Sequence, residues 1–468
     1  MAEKNHNILT LEAEKETIIS PHVNTFPRSV YYIVGNEAAE RFSYYGMRSI
    51  LTLYMINILL MTEAQATQTI HIFMSAVYLM PLLGGWLADR YFGRYWTILV
   101  ISLFYCLGHG ILAITEGSLW GLYLGLALIA FGSGGIKPCV SAFVGDQFGP
   151  EREHLLPKVY GLFYWSINFG SFFAFLIIPE LRKKFGYGIA FGVPGLAMAL
   201  ATFIFWLGTP YYVRKPPSKI TGKASFWSIV IYALKRIKHR QKGQAWLDLA
   251  LPAFSLEEVK AAKAVMYILL IFSAAPMFWA LFDQTASTWV IQGREMRPYQ
   301  LLGIEINAET IQSFNPLLVM IMIPLFTGLV YPLAERLGLR PTPLRRMTLG
   351  IALAGVSYII CAWIELRLER GEHLSIIWQT LPYIVLTAAE VLFSTTGLEF
   401  AFTQAPSTMK SIIMSFWLLT VTIGDMFVAY LTQVIDKMGF TGKPESFLTY
   451  AILCGIVAII FGILAKVY

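Results

Sequence analysis

Twelve stretches of about 20 or more predominantly apolar residues run through this chain of 468 residues. An α-helix of that length crosses the hydrocarbon core of a bilayer, which is about 30 Å thick. Only 14% of the residues are charged, whereas ordinary soluble proteins carry about 25%. We therefore predict an all-α integral membrane protein, with spans near 28–58, 66–89, 95–115, 119–145, 157–180, 188–213, 264–291, 311–335, 344–366, 374–405, 411–436 and 446–467.

The order of the stretches predicts two halves of six helices each. We expect a cytoplasmic N-terminal tail at 1–27, bundles at 28–213 and 264–468, and a cytoplasmic linker at 214–263. A short internal sequence repeat supports a duplication of the six-helix unit. "LADR" at 87–90 recurs as "LAER" at 333–336, each at the end of the second span of its half. Parallel six-helix repeats are the architecture of major facilitator transporters, and "GGWLADRYFGR" resembles the loop signature of that superfamily.

The positive charge is distributed as in a membrane protein. Lys and Arg are more numerous in the segments that would share a side with both termini, and most numerous in the linker, which includes "LKRIKHRQK". The positive-inside rule then predicts that both termini are cytoplasmic. We expect a multi-pass protein of the cell (inner) membrane. The net charge of +7 is thus explained by topology and by attraction to anionic lipid, without a nucleic-acid partner. The four cysteines have no metal-binding spacing, and we predict no metal or cofactor.

One face of the first span carries charges that a lipid-facing helix would avoid. In "NEAAERFSYYGMR", Glu37, Glu40, Arg41 and Arg48 fall within one arc of roughly 140°, together with two tyrosines. An ionised side chain at the bilayer centre costs about 2.5–3.5 kcal/mol on insertion scales, so such residues face a cavity or pair with one another. An internal Glu37–Arg41 pair, four residues apart, would account for only two of the four.

Further ionisable residues lie in other spans: His71, Lys137, Asp283, Glu390, Glu399 and Asp425. The chain contains no HExxH, GxSxG or P-loop motif, so we predict that it is not an enzyme. Carboxylates beside arginine and lysine in a wet cavity suit proton coupling, because a carboxylate released from its cation takes up a proton more readily. The residues favour a proton-driven carrier of a solute that bears a carboxylate.

Several motifs carry a family resemblance over nearly the whole chain. "NEAAERFSYYG" resembles the ExxERFxYYG signature of the proton-dependent oligopeptide transporter family. "FYWSINFGS" at 163–171 resembles its FYxxINxGS segment, and "FGSGGIKPCVSAFVGDQF" resembles its span-four segment. "PMFWALFDQ" and "GLEFAFTQAPSTMKS" resemble animal members more than many bacterial ones. The resemblance implies a proton-coupled symporter that imports di- and tripeptides by alternating access.

The resemblance also implies roles for individual residues. Proton coupling would involve Glu37, Glu40, Arg41, Lys137, His71 and Asp283. Arg41 and Lys137 would receive the peptide's carboxylate, and Asn168, Asn315 and Glu390 its ammonium group. Aromatic walls for peptide side chains would be Tyr45, Tyr54, Tyr78, Trp279 and Trp417. For each aromatic, lipid or core packing is the alternative, and from the residues alone His71 is equally compatible with packing and with proton transfer.

The site for the peptide carboxylate and the site for its ammonium group together predict the length of the substrate. A chain of two or three residues spans at most about 7–11 Å, so longer peptides would leave a buried charge unpaired. We expect the proton to be the only coupling species and the monomer to be functional. Two alternatives stay open: a relative specialised for another anion such as nitrate, and a receptor that binds without transporting. Retention of the whole ExxER motif favours the peptide carrier over both.

Overall fold

The structure is a computed structural model that describes residues 24–217, 225–404, 406 and 409–467. Its regular structure is helical apart from one short β-hairpin, and eight of the described helical runs, or nine when a bent pair is counted as one, are long and apolar enough to cross a membrane. The helices of the first half, residues 28–207, are α1 (Arg28–Asn57), α2 (Glu63–Leu87), α3 (Gly93–Ile114), α4 (Leu119–Asp146) and α5 (Leu156–Leu207).

Two glycines divide uninterrupted helical runs into separate spans. The run Glu63–Ile114 has 52 residues and Pro150–Leu207 has 58, each more than twice the length that a bilayer needs. Gly93 and Gly186 interrupt these runs with φ angles of 72° and 83°, a left-handed conformation that favours glycine. Each run is therefore two antiparallel spans, which gives the first half its six.

The second half, residues 256–467, also forms six spans. Its helices are α7 (Leu256–Phe272), α8 (Ala275–Phe282), α9 (Thr288–Arg294), α10 (Phe314–Leu325), α11 (Tyr331–Arg336), α12 (Pro343–Glu369), α13 (Thr380–Glu390), α14 (Thr396–Gln404), α15 (Lys410–Lys437) and α16 (Pro444–Val467). α7 to α9 form one span bent by 41°. π-helical turns at Phe326–Val330 and Val391–Thr395 join α10 to α11 and α13 to α14.

The chain thus has the predicted all-α fold of twelve membrane-spanning helices, although some boundaries differ. α7 begins at Leu256, eight residues before the predicted start of the seventh span at 264. Ser255 and Glu258 form a capping box there, so the charged turns "LEEVKAAK" belong to the helix and not to a loop. Strands β1 (Tyr299–Leu301) and β2 (Ile304–Ile306) pair antiparallel after α9, where no strand was predicted.

Each half has its own hydrophobic core. One cluster of buried side chains consists of residues between 30 and 212 together with Ala286, and the other of residues between 226 and 461. Inside the first half, α2 and α4 approach so closely that a Cβ on Gly84 would lie 2.0 Å from the Gly135 carbonyl oxygen. Such contacts between small residues are how membrane helices pack without a hydrophobic driving force.

Between the halves, the chain forms α6 (Phe226–Lys235). We call the side of the protein where α5 ends and α7 begins the linker side, and the side with the β-hairpin the hairpin side. On the linker side, Asp146 at the end of α4 pairs with Arg94 and, at 2.8 Å, with Lys215. The ion pair between Arg94 and Asp146 therefore attaches the "GGWLADRYFGR" loop to its own half.

Candidate functional site

The charged face of α1 forms a compact ion cluster. Arg41 Nε lies 2.9 Å from a Glu37 oxygen and 2.6 Å from a Glu40 oxygen, and all three side chains are buried. The second Glu40 oxygen accepts a hydrogen bond of 3.2 Å from Ser133 on α4. Two carboxylates thus share one guanidinium group, so a competing anion could displace one of them.

Lys137 lies beside this cluster on α4, but its partners are aromatic rings. Its amino group is 4.2 Å from the ring centre of Tyr78 and 4.9 Å from that of Tyr44. Within the described part of the chain, it makes no ion pair with a carboxylate within 4.0 Å. A cation held against aromatic faces keeps its charge available for an anionic ligand.

A cavity of about 160 Å³ lies between the two halves. Its walls combine tyrosine, tryptophan and phenylalanine rings with a few amide and charged groups, the composition of a site for a small organic molecule. Seven of the predicted residues line it: Tyr45, Tyr78, Asn168, Trp279, Asp283, Asn315 and Glu390.

Glu390 is one of two carboxylates, with Asp283, that line the cavity from the second half. Its Oε2 accepts a hydrogen bond of 2.8 Å from Asn315, whose amide also donates to Thr387 at 3.2 Å. Asn168, on the first half, donates to the Tyr164 carbonyl oxygen at 3.0 Å and leaves its own oxygen for another donor. These groups provide acceptors on both walls, as an ammonium group requires.

Arg48 is the cation that lines the cavity, and it was not among the predicted binding residues. Its Nη1 lies 3.9 Å from Asp283 on the second half, and its guanidinium group lies 5.1 Å from the ring centre of Tyr45. It sits seven residues after Arg41 on the same face of α1, so helical spacing could have identified it. The Arg48–Asp283 contact connects the two halves where the cavity meets the hairpin side.

His71 forms a second connection between the halves. Its Nδ1 lies 2.7 Å from an Asp425 oxygen on α15, and its Nε2 lies 2.9 Å from the Ser287 hydroxyl. His71 and Asp425 are completely buried. Asp425 was noticed in the sequence as an ionisable residue, but its partner is 354 positions away and could not be read from the pattern.

Three ion pairs join the halves at the hairpin side. Glu63 pairs with Arg294 at 2.7 Å, Arg182 with Glu309 at 2.8 Å, and Lys183 with Glu305 at 2.6 Å. Burial raises the pKa of Glu309 to about 7, although the Arg182 guanidinium acts in the opposite direction. The hydrogen bond from Lys183 lowers the pKa of the more exposed Glu305.

Two aromatic predictions are not matched by the cavity. The Tyr54 ring packs against Tyr187 and Phe191, and its hydroxyl accepts a hydrogen bond from the Gly117 amide, so it lies apart from the cavity lining. The Trp417 ring lies behind Trp279, with ring centres 6.0 Å apart. Among the residues that the structure describes, no group of three His, Cys, Asp or Glu side chains could hold a metal ion.

The chain resembles known proteins over most of its length. The family model described as the POT family matches residues 95–448. Peptide transporter family 1 of Drosophila melanogaster is 38% identical over 77% of this chain and 50% of that protein. Solute carrier family 15 member 1 of Homo sapiens is 36% identical over 74% of this chain and 53% of that protein. The chain thus spans about half the length of these curated relatives.

Solved structures match more completely. The crystal structure of the POT family transporter PepTSo superimposes with a TM-score of 0.89 at 39% identity, and covers 95% of this chain and 99% of that one. The crystal structure of an auto-inhibited POT family peptide transporter gives a TM-score of 0.86 at 40% identity, over 94% and 97% of the two chains. The predicted family is therefore confirmed: the chain is a membrane protein of the POT family, with the major facilitator fold.

Proposed function

We propose that the protein is a proton-coupled symporter that imports di- and tripeptides by alternating access. The observation that carries the proposal is the pairing of Arg41 with both Glu37 and Glu40 on α1, the helix whose residues Tyr45 and Arg48 line a cavity together with Glu390 of the second half. The peptide transporter names of the relatives and the POT transporter structures support this assignment.

In this mechanism, the peptide carboxylate approaches Arg41 and Lys137 and replaces one glutamate at the guanidinium group. The displaced glutamate, which we assign to Glu37, then takes up a proton because it is buried without its cation. Glu40 keeps its position through Ser133, which donates to it. Substrate occupancy and proton occupancy are thereby linked at Arg41.

The peptide ammonium group is proposed to bind at the opposite wall. Glu390 supplies the charge, with Asn315 holding it in place and Asn168 offering an amide oxygen. The rings of Tyr45, Tyr78 and Trp279 would surround the peptide side chains without selecting among them. Because a di- or tripeptide spans at most about 7–11 Å, longer chains would leave one of the two charges unpaired.

Access requires the two halves to move. The cavity of about 160 Å³ is smaller than ordinary ligand sites of about 300–1,000 Å³, so binding needs a wider state. We propose that residues 28–213 rock against 264–467, with 214–263 as the linker, in the cell inner membrane. The linker side, with both termini, would be cytoplasmic because of its basic residues, and a single copy would be sufficient for transport.

The energetics are sufficient for accumulation. One charge that moves across 100 mV contributes about 2.3 kcal/mol. A pH step adds about 1.4 kcal/mol per unit, since each unit is a tenfold ratio of proton activity. The proton is the only coupling species that we propose, and no cofactor is needed for this chemistry.

Dialanine uptake into proteoliposomes under an inward proton gradient tests the proposal. The parent should accumulate dialanine, whereas Glu37→Gln should exchange it across the membrane without accumulation. Glu372→Gln, a half-exposed hairpin-side carboxylate paired with Arg367, is the control and should accumulate like the parent. Binding without uptake would identify a receptor, and uptake of nitrate without dialanine would identify a carrier for another anion; both results would overturn the proposal.

A further inference from the structure

One face of helix α6, which lies in the linker, packs against the second half. Phe226, Ile229, Val230 and Ala233 are buried in the second-half core. The Phe226 ring lies 5.8 Å from that of Phe416 on α15. Among the described residues, the position of α6 is therefore fixed relative to the second half.

The other face of α6 is apolar and half-exposed, with the Trp227 ring at its edge, 5.8 Å from that of Phe416. Trp227, Ile231 and Leu234 are 52%, 49% and 52% exposed, and Ile237 follows in the next turn at 41%. The first three residues are spaced by four and three positions, so they form a single stripe along the helix. An apolar stripe of this kind next to a membrane protein's lipid-facing surface suits the acyl-chain boundary of a bilayer.

Exposed cations follow this stripe directly. They are Lys235, Arg236, Lys238, Arg240 and Lys242. Over the described ranges, none of the five forms an ion pair with a carboxylate within 4.0 Å. Arg236 stacks on the Tyr232 ring at 3.9 Å, and Arg240 donates to the Gln244 carbonyl oxygen at 2.7 Å, so two of them have defined orientations.

The depth of α6 matches the membrane surface. Phe416 lies six residues from the linker-side start of α15 at Lys410, which corresponds to about 9 Å along the helix axis. A helix that contacts Phe416 is thus level with the ends of the spans, where headgroups and acyl chains meet. Apolar side chains and unpaired cations coincide there, as in helices that lie in the interface.

We propose that α6 and the cations that follow it form a binding site for anionic phospholipids. The acyl chain would lie along Trp227, Ile231 and Leu234, and the phosphate group would contact Arg236, Lys238 and Arg240. Because the buried face of α6 packs on the second half in the part of the chain that the structure describes, the bound lipid would attach that half to the bilayer surface. The proposal is independent of the transported solute.

Tryptophan quenching by brominated lipids tests the site on the full chain in nanodiscs. The quenching of Trp227 is obtained by subtracting the quenching measured in Trp227→Phe from that measured in the parent. This subtraction removes the signal of the other tryptophans. Brominated phosphatidylglycerol should quench Trp227 more strongly than brominated phosphatidylcholine at equal mole fraction. Equal quenching by the two lipids would overturn the proposal.

Two comparisons show whether these cations produce the preference for phosphatidylglycerol over phosphatidylcholine. The triple variant Arg236→Gln, Lys238→Gln, Arg240→Gln should reduce it by about fivefold for each contact that is lost. The control Arg336→Gln, Arg340→Gln, Arg345→Gln removes three exposed cations elsewhere on the linker side and should keep it. An equal loss in both variants would refute a local site.

A salt titration of the Trp227 signal, taken as the parent minus Trp227→Phe, requires no charge variant to fold. At about 1 M salt the Debye length is about 3 Å, so the preference for phosphatidylglycerol should disappear. Quenching by phosphatidylcholine, which depends on the apolar stripe, should remain. A preference that is unchanged at high salt would contradict recognition of the headgroup by these cations.

Discussion

The two sides of the protein hold its halves together in different ways. At the hairpin side the halves are joined by ion pairs and by buried hydrogen bonds such as Thr52 to the Ala286 carbonyl at 2.6 Å and Gln312 to the Ser49 carbonyl at 3.3 Å. At the linker side, the ion pairs in the described residues stay within one half, as in Arg94–Asp146 and Arg346–Glu399. The structure is therefore closed at the hairpin side.

This difference separates permanent contacts from contacts that a transport cycle can break. Inside a half, helices such as α2 and α4 touch through backbone and small residues, which have no second arrangement. Between the halves, the ion pairs and side-chain hydrogen bonds join polar groups that water can replace when the sides separate. Each hairpin-side contact should thus contribute to closure in proportion to its burial.

Spin-label distances measure closure on both sides. In a variant without its native cysteines, labels at Glu116→Cys and His373→Cys report on the hairpin side, and labels at Glu153→Cys and Arg345→Cys report on the linker side. All four positions are exposed. Breaking a hairpin-side contact should lengthen the first distance and shorten the second.

The largest effect is expected from His71→Ala. The change removes the partner of a completely buried carboxylate, Asp425, and an unsatisfied buried group costs about 1–3 kcal/mol, or more if it is charged. The hairpin side should open in a large fraction of molecules, and uptake should fall at least tenfold. Ser287→Ala removes only the bond to Nε2 and should open it less. An unchanged distance distribution in His71→Ala would show that this contact does not hold the halves.

The next effect is a dependence of closure on pH through Glu309. In the closed structure burial raises its pKa to about 7, whereas in water it would have its ordinary value of about 4.5. The closed form therefore retains a proton that the open form loses between these values, so acid favours closure. The ratio of closed to open molecules should fall by up to about tenfold per pH unit as the pH rises through this window. Glu309→Gln should remove this pH dependence.

Glu305 provides the matched control, because its pKa is shifted in the opposite direction. The hydrogen bond from Lys183 lowers it, so closure through this pair is present above the ordinary pKa and is lost as the pH falls. Glu305→Gln should leave the dependence between pH 4.5 and 7 in place, as measured by the same label distances. If both variants abolished it equally, Glu309 would not be its source.

A smaller effect is expected from the Glu63–Arg294 pair. Both side chains are about 30% exposed, and such pairs contribute about 0.2–1 kcal/mol. Arg294→Gln should change the closed-to-open ratio by less than about fivefold. Exchanging the charges, with Glu63→Arg and Arg294→Glu together, should restore it. Failure of the exchanged pair to recover would indicate that geometry, and not charge, decides this contact.

The smallest effect is expected from Glu399→Gln on the linker side. Its pair with Arg346 is 3.4 Å long, stays within the second half, and leaves Glu399 54% exposed. Both label distances should match those of the parent. The free-energy difference between the closed and open forms should change by less than about 0.5 kcal/mol. If this variant opened the hairpin side, the distinction between the two sides would be wrong.

The sequence predicted features that depend on neighbouring residues. The twelve spans followed from apolar length, and the Glu37–Glu40–Arg41 cluster followed from helical spacing. The start of α7 was misplaced because Glu257, Lys260 and Lys263 resemble a loop by composition, whereas a helix continues beyond the membrane when it is capped.

The sequence did not predict contacts between distant segments. His71–Asp425, Arg182–Glu309 and Arg48–Asp283 join residues more than 100 positions apart, and they depend on which side is closed. Tyr54 was expected at the site from the family resemblance, but it lies nine residues, or two and a half turns, after Tyr45, and its ring packs against Tyr187. Local periodicity does not specify the depth of a residue.

The packing of α6 on the second half has a mechanical consequence. Up to Lys215, which pairs with Asp146, the chain after α5 stays on the first half, so residues 216–225 join the parts that pack on the two halves. Ten residues span at most about 33–36 Å, and this length limits how far the two halves can move apart where the linker joins them. A chain cut within this segment, with its two pieces produced together, should reassemble through the hairpin side alone.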